Sequence, residues 1–142
     1  MAMPCMYCEK GEKLNNAAIK ICDLQVSELY LNREQSYPGR LILVLKSHAE
    51  ELYELSQNER TAFINDICSA AKAMEDLYHP GRINYGMYGD NVKHIHVHIV
   101  PKTKDGLDWN GVFQMNPRKT YLADDEYMKI VKAYKEKLEV LK

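Results

Sequence analysis

Three of the chain's five histidines fall in one short run, His94-Ile95-His96-Val97-His98. On an extended strand, side chains alternate between faces and same-face neighbours lie roughly 6.5–7 Å apart. His94, His96 and His98 therefore share one face, while Ile95, Val97 and Ile99 share the other and pack on a core. A neutral imidazole offers one lone pair and one N–H. A row of them suits nucleophilic attack on an electrophile and donation to the charge that develops. Cys5 and Cys8 form a C-x-x-C near the start of the chain. Alone, that spacing is open between a metal site and a redox pair. The redox reading is the weaker, because the motif is expected neither to follow a strand nor to open a helix.

The histidine row needs a sheet to hold it. Arg82–Met87 is predicted as one strand, Tyr88–Asn91 as a tight turn and Val92–Val100 as the strand that carries the histidines. Ala18–Leu31 reads as two short strands broken near Ser27. Tyr37-Pro38-Gly39 is a turn, and the aliphatic run Leu41–Leu45 suits a buried central strand. From Ser56 the period changes to three and four. Phe63, Ile67, Ala70, Ala71, Met74 and Leu77 form one face of a long helix. Ser56 and Glu59 supply its capping box, and His79-Pro80-Gly81 its stop. The segment from Pro101 to Pro117 is loop-rich. Tyr127, Ile130, Val131, Tyr134, Leu138 and Leu141 give a final amphipathic helix. Strands in a meander with one long helix between them predict an α+β fold, an antiparallel sheet of about five strands.

Composition bounds the partners. A chain of 142 residues is one domain's worth, and 1–142 is read as a single domain. Nineteen basic residues against twenty acidic ones leave a net charge of −1, which argues against bulk electrostatic binding of nucleic acid. The longest aliphatic run, Leu41–Leu45, is far short of a membrane span. With no basic head before an apolar stretch, no secretory signal is expected and a cytoplasmic location is. Cys22 and Cys68, alone in apolar segments, are expected as buried thiols. Trp109, Phe113 and Met115 are candidates for a pocket wall, for a dimer contact or for packing under a loop. Lys102 and Lys104 are expected as exposed lysines, able to attract an anionic substrate or without a specific role.

The run H-Φ-H-Φ-H-Φ-Φ (Φ hydrophobic), continued by Val100-Pro101-Lys102, resembles the signature of the histidine triad (HIT) family of nucleotidyl hydrolases and transferases. Upstream, Leu31-Asn32-Arg33, Pro38-Gly39-Arg40-Leu41-Ile42-Leu43-Val44 and Lys46-Ser47-His48 resemble that family's ribose-contacting strand, its P-G-H-x-L-V-x-P turn-strand and its P-K-x-H. The resemblance covers roughly Cys5 to Pro117 and implies a HIT-like fold. It implies His96 as the nucleophile toward the α-phosphorus of an adenine nucleotide, through a covalent histidyl-AMP, with His98 as donor to a phosphoryl or leaving-group oxygen. Dinucleoside polyphosphates and adenosine phosphoramidates are the implied substrate classes. Asn32 is implied for ribose hydroxyls. Asn91, or the backbone N–H groups around Gly89, is expected to stand in for a missing phosphate-loop Gln, and Arg40 replaces the family's usual His at a position facing polyphosphate or solvent. Zinc-containing branches of the family further imply Cys5, Cys8, His48 and His94 as ligands of a structural Zn2+, and the family implies a homodimer. Two other readings stand beside this one: a metallohydrolase with an open metal site at the triad, and a non-catalytic nucleotide-binding protein on the same fold.

Overall fold

Every residue of Leu41–Leu45 is buried, because this strand lies in the middle of the sheet with a covered surface on each side. The computed structural model describes residues 5–140. Two short N-terminal helices, α1 (Met6–Glu9) and α2 (Glu12–Ala17), precede β1 (Ala18–Asp23), β2 (Ser27–Asn32) and β3 (Leu41–Leu45). A 3-10 turn (Leu52–Glu54) leads to α3 (Gln57–Tyr78), followed by β4 (Arg82–Gly86), β5 (His96–Lys102) and α4 (Asp124–Val140). The strands pair antiparallel in the order β1-β2-β3-β5-β4. The α+β fold expected from the sequence is thus the fold observed.

Strand alternation sorts the sheet into two faces. Leu29, Leu31, Leu41, Leu43, Val97 and Ile99 pack on α3 and α4, against Phe63, Met74, Val131 and Tyr134. Each such side chain contributes about 1.5–3 kcal/mol by leaving water. Tyr30, Ile42 and Val44 point the other way and meet Tyr7, Leu14 and Ala18 of the N-terminal segment. His98 pairs with Ile42 and His96 with Val44, so both histidines lie on this second face.

The helix signals act as expected. Ser56 Oγ accepts from the Glu59 amide while the Glu59 side chain reaches back to the Ser56 amide. His79 ends α3 in the left-handed region, with φ +47°. One polar residue interrupts the apolar face: Asp66 is buried and accepts from the Gln25 and Val26 amides at 3.0 and 2.9 Å. It thereby closes the β1–β2 connection. At the other end of α3, Gly39 takes φ +95°, and a Cβ there would come within 2.6 Å of the Tyr78 ring. Tyr134 of α4 donates its hydroxyl to the Gly39 carbonyl at 2.6 Å, which fixes the turn leading into Arg40.

Four expectations need correction. The histidine strand begins at His96, not Val92, because the Ile95 amide bonds to the Ala49 carbonyl while the Ile95 carbonyl accepts from Leu45. Tyr88–Asn91 is an open connection, not a tight turn. Strand β5 runs on through Pro101 and Lys102, where the sequence suggested loop. Cys68 is exposed and Cys22 only half-buried against the main core, since Cys68 follows Ile67 around α3 onto its outer face. Leu141, expected in the last helix, lies outside the described residues.

Candidate active site and metal cluster

Contrary to expectation, the C-x-x-C does open a helix. Cys5 is the N-cap of α1, and its carbonyl accepts from the Cys8 and Glu9 amides. Residues three apart on one helical turn face the same way, so both thiols point at the sheet. There they meet His48, just beyond the end of β3, and His94, just before β5. His94 Nδ1 lies 3.3 Å from Cys5 Sγ, 3.5 Å from Cys8 Sγ and 3.2 Å from His48 Nδ1, with Cys8 Sγ 3.3 Å from His48 Nδ1. Tetrahedral bonds of about 2.0–2.3 Å to nitrogen and sulfur put ligand atoms about 3.3–3.8 Å apart. The four donors, all within 4.8 Å of one another, can hold a metal ion. His94 is already in the tautomer a metal needs. Its Nε2–H donates to the Leu45 carbonyl at 2.7 Å, which leaves the lone pair on Nδ1.

The same logic sets His96. Its Nδ1 lies 2.6 Å from the His94 carbonyl oxygen, and a carbonyl only accepts. Nδ1 therefore carries the hydrogen and Nε2 the lone pair. Burial holds the His96 imidazole below its ordinary pKa, which keeps that lone pair available at neutral pH. The ring of Tyr7, carried between the two cysteines, packs on His96 with centroids 5.1 Å apart.

His96 and His98 line a cavity of about 660 Å³, together with Tyr7, Asn32, Arg40 and Asn91. A second cavity of about 480 Å³ reaches His94 and His96 from the side of Glu50, Tyr53 and Met87. His98 is enclosed by Tyr88 and Phe113, at ring centroid distances of 6.3 and 6.1 Å. These two rings pack on Gly86, where a Cβ would come within 2.6 Å of Phe113. Burial first, and then the neighbouring Arg40 guanidinium, push the His98 pKa down to about 3.

The nine metal, catalytic and substrate-binding candidates fall into these two groups. Cys5, Cys8, His48 and His94 converge; His96, His98, Asn32, Asn91 and Arg40 border the larger cavity. Asn32 gives its amide hydrogen to the Glu34 carbonyl at 2.7 Å, which leaves its side-chain oxygen as an acceptor. Arg40 is not a solvated side chain: it is 1% exposed and its Nη2 lies 3.0 Å from His98 Nδ1. Lys102, expected exposed, is buried and donates to the Asp108 and Gly111 carbonyls, stapling the loop after β5. Trp109 packs over Gly81, while Met115 lines the cavity. Sequence reasoning missed Tyr7 and Tyr88. The position of Tyr7 between two candidate ligands was the one available signal.

A five-stranded antiparallel sheet whose H-Φ-H-Φ-H run sets a histidine pair over a cavity marks the class of histidine triad proteins. The HIT domain family model matches residues 13–105, and the chain belongs to that family. A curated relative from Schizosaccharomyces pombe, adenosine 5'-monophosphoramidase hnt1, is 25% identical over 75% of this chain and 84% of its own. A second from the same yeast, an asymmetrical bis(5'-nucleosyl)-tetraphosphatase, is 24% identical over 61% of this chain, which spans 50% of that relative. Among solved structures, a histidine triad protein from Bradyrhizobium japonicum superposes with a TM-score of 0.81 at 21% identity, covering 90% of this chain and 96% of that one.

Proposed function

We propose that the chain cleaves an adenine nucleotide at its α-phosphate through a covalent histidyl-AMP on His96, then hands the AMP to water or another acceptor. The observation that carries this reading is the His96 Nδ1–H to His94 carbonyl hydrogen bond of 2.6 Å. It fixes an unprotonated Nε2 inside a cavity able to enclose a nucleotide. His96 Nε2 attacks phosphorus, and the P–O or P–N bond to the leaving group breaks with its electron pair going to the departing atom. His98 Nε2–H donates to a phosphoryl or leaving-group oxygen and stabilises the charge that develops there. Asn32 accepts from a ribose hydroxyl, and Asn91 meets phosphate. The two cavities that border His96 give the nucleotide and the leaving group separate room.

Cys5, Cys8, His48 and His94 would hold a structural zinc ion, a Cys₂His₂ set that fits its coordination. Bound there, it would tie α1 to the sheet, while the two thiolates would neutralise most of its charge toward His96. Four protein donors close the site, which disfavours an open catalytic metal at the triad. We read residues 1–142 as one HIT-like domain acting in the cytoplasm as a homodimer. Among the described residues the outer edge of β4 has no neighbour in the sheet, and Tyr85 on it and Ile64 on α3 are exposed. Among the described residues no helix is long and apolar enough to cross a membrane.

Intact mass after brief mixing with diadenosine tetraphosphate or adenosine 5'-phosphoramidate, followed by acid quench, tests the mechanism. An AMP adduct that vanishes in His96→Gly is expected. Turnover with no adduct at any time would overturn it.

A further inference from the structure

The guanidinium of Arg40 is held from every side. Nη1 donates to the Gln114 and Met115 carbonyls at 3.1 and 2.8 Å, and Nη2 meets Met115 Sδ at 3.3 Å and His98 Nδ1 at 3.0 Å. Its carbon lies 5.3 Å from the centroid of the Phe113 ring. Among the described residues it makes no ion pair, and its buried Nε has no hydrogen-bond partner. A guanidinium has donors and no acceptor. His98 Nδ1 must therefore carry the lone pair, and the one ring hydrogen sits on Nε2.

That restriction has a chemical consequence at the leaving group. In the proposed attack the His96 proton stays on Nδ1, bound to the His94 carbonyl. His98 has one proton, on Nε2, and giving it up would leave an imidazolate. A second proton would have to go onto Nδ1, against a fixed cation 3.0 Å away. His98 can thus donate a hydrogen bond but cannot act as a proton-transferring acid. A phosphoanhydride needs no acid: the P–O bond breaks, and the electron pair leaves on a phosphate oxygen that is stable as an anion. A phosphoramidate differs, because the pair from its P–N bond stays on nitrogen, which must gain a proton to depart as an amine.

We propose that Arg40 is a positioning residue that locks His98 as a neutral Nε2–H donor, and so biases the site toward leaving groups that depart as anions, phosphoanhydrides over amines. The inference rests on His96 being the nucleophile, as proposed above. Arg40, His96 and Tyr88 are the titratable groups around His98, and Asp90 lines the same cavity. Burial and Arg40 both disfavour the imidazolium, in that order. Tyr88, at 6.3 Å between ring centroids from His98, and Tyr7, packed on His96, are neutral hydroxyls that border the same cavity.

The test pairs spectroscopy with selectivity. In the unmodified protein, ¹⁵N shifts of the His98 ring should report an unprotonated Nδ1 and no titration down to about pH 5. Diadenosine tetraphosphate should be turned over with kcat/KM at least about tenfold above adenosine 5'-phosphoramidate. In Arg40→Met, turnover of the anhydride should fall about 10–100-fold, the usual scale for a residue that orients a catalytic neighbour. His98 should then titrate, and the amide should gain on the anhydride below about pH 6.5. Arg40→Lys should restore part of the anhydride preference, and Tyr88→Phe should slow the amide selectively. A His98 that titrates normally in the unmodified protein, or a substrate ratio unchanged in Arg40→Met, would overturn the proposal. An AMP adduct formed in either of those cases keeps His96 as nucleophile and removes only the role of Arg40. Absence of the adduct with both substrates removes the nucleophile instead.

Discussion

The histidine row is finished differently at its two ends. His94 gives its N–H to a backbone carbonyl and turns its lone pair toward two thiols and a second imidazole. His98 receives a guanidinium hydrogen on Nδ1 and turns its N–H into the cavity. One neighbour accepts and the other donates, so two residues of identical type present opposite faces to their surroundings. The end that exposes a lone pair is ready for a cation. The end that exposes an N–H is ready for an anion. His96 stands between them with its own tautomer set by the backbone of His94. Residue type supplies the possible chemistry, and the partner on the far ring nitrogen selects which half of it is used.

The division of labour along the histidine row is tested first at its centre. His96→Ala should lower turnover by about 10⁴-fold or more, the scale seen when a nucleophile is removed, while metal content per chain stays as in the unmodified protein. Loss of metal in that variant would mean that the two halves of the row are not separate. Next comes the cation-ready end. Cys8→Ser should lose stoichiometric metal by elemental analysis and lower Tm by about 4–8 °C, corresponding to about 2 kcal/mol for a chain of this size. Unchanged Tm with metal gone would show that α1 holds its place without the ion.

At the anion-ready end, Gly86→Ala forces a methyl against Phe113 and Tyr88. Overpacking of this kind costs about 1–3 kcal/mol. It should also cut kcat several-fold by displacing the rings around His98, and urea unfolding with steady-state kinetics reads both. The last effect is on acid stability. The folded-state pKa of His98 lies at about 3, against an unfolded value of about 6.5. Between these values the unfolded chain binds the extra proton, so stability is fully present above about pH 6.5 and declines as pH falls toward 3. The urea midpoint should drop between pH 7.5 and pH 5, and His98→Asn should flatten that slope.

Much of this arrangement can be read from residue order, and the reasons are local. The periodicity from Phe63 to Leu77, with a cap at each end, leaves little choice but a helix. Five aliphatic residues in a row need cover on both sides, and Leu41–Leu45 has it. The faces of His96 and His98 follow from alternation alone. What escapes a local reading depends on distant partners. Lys93 and His94 continue the strand pattern, yet the Ile95 amide is drawn to Ala49, and the ladder starts one residue later. Nothing in Pro38-Gly39-Arg40 signals a buried guanidinium, because its partners come from residues 98, 114 and 115. Tyr7 reaches His96 only once the thiols on either side of it have found His48 and His94. The outward turn of Cys68 is a matter of roughly 100° per residue around α3, which the apolar character of its neighbours conceals.

The bond from Tyr134 to the Gly39 carbonyl bears on how such proteins are recombined. The last helix holds no motif residue and looks interchangeable between relatives. In a chimera that kept every histidine and cysteine but borrowed a helix without a tyrosine at this register, the carbonyl before Arg40 would lose its donor. The residue that polarises His98 would then ride on an unanchored turn. Position 134 therefore belongs with the triad when segments are exchanged, although it lies 36 places further along the chain than His98.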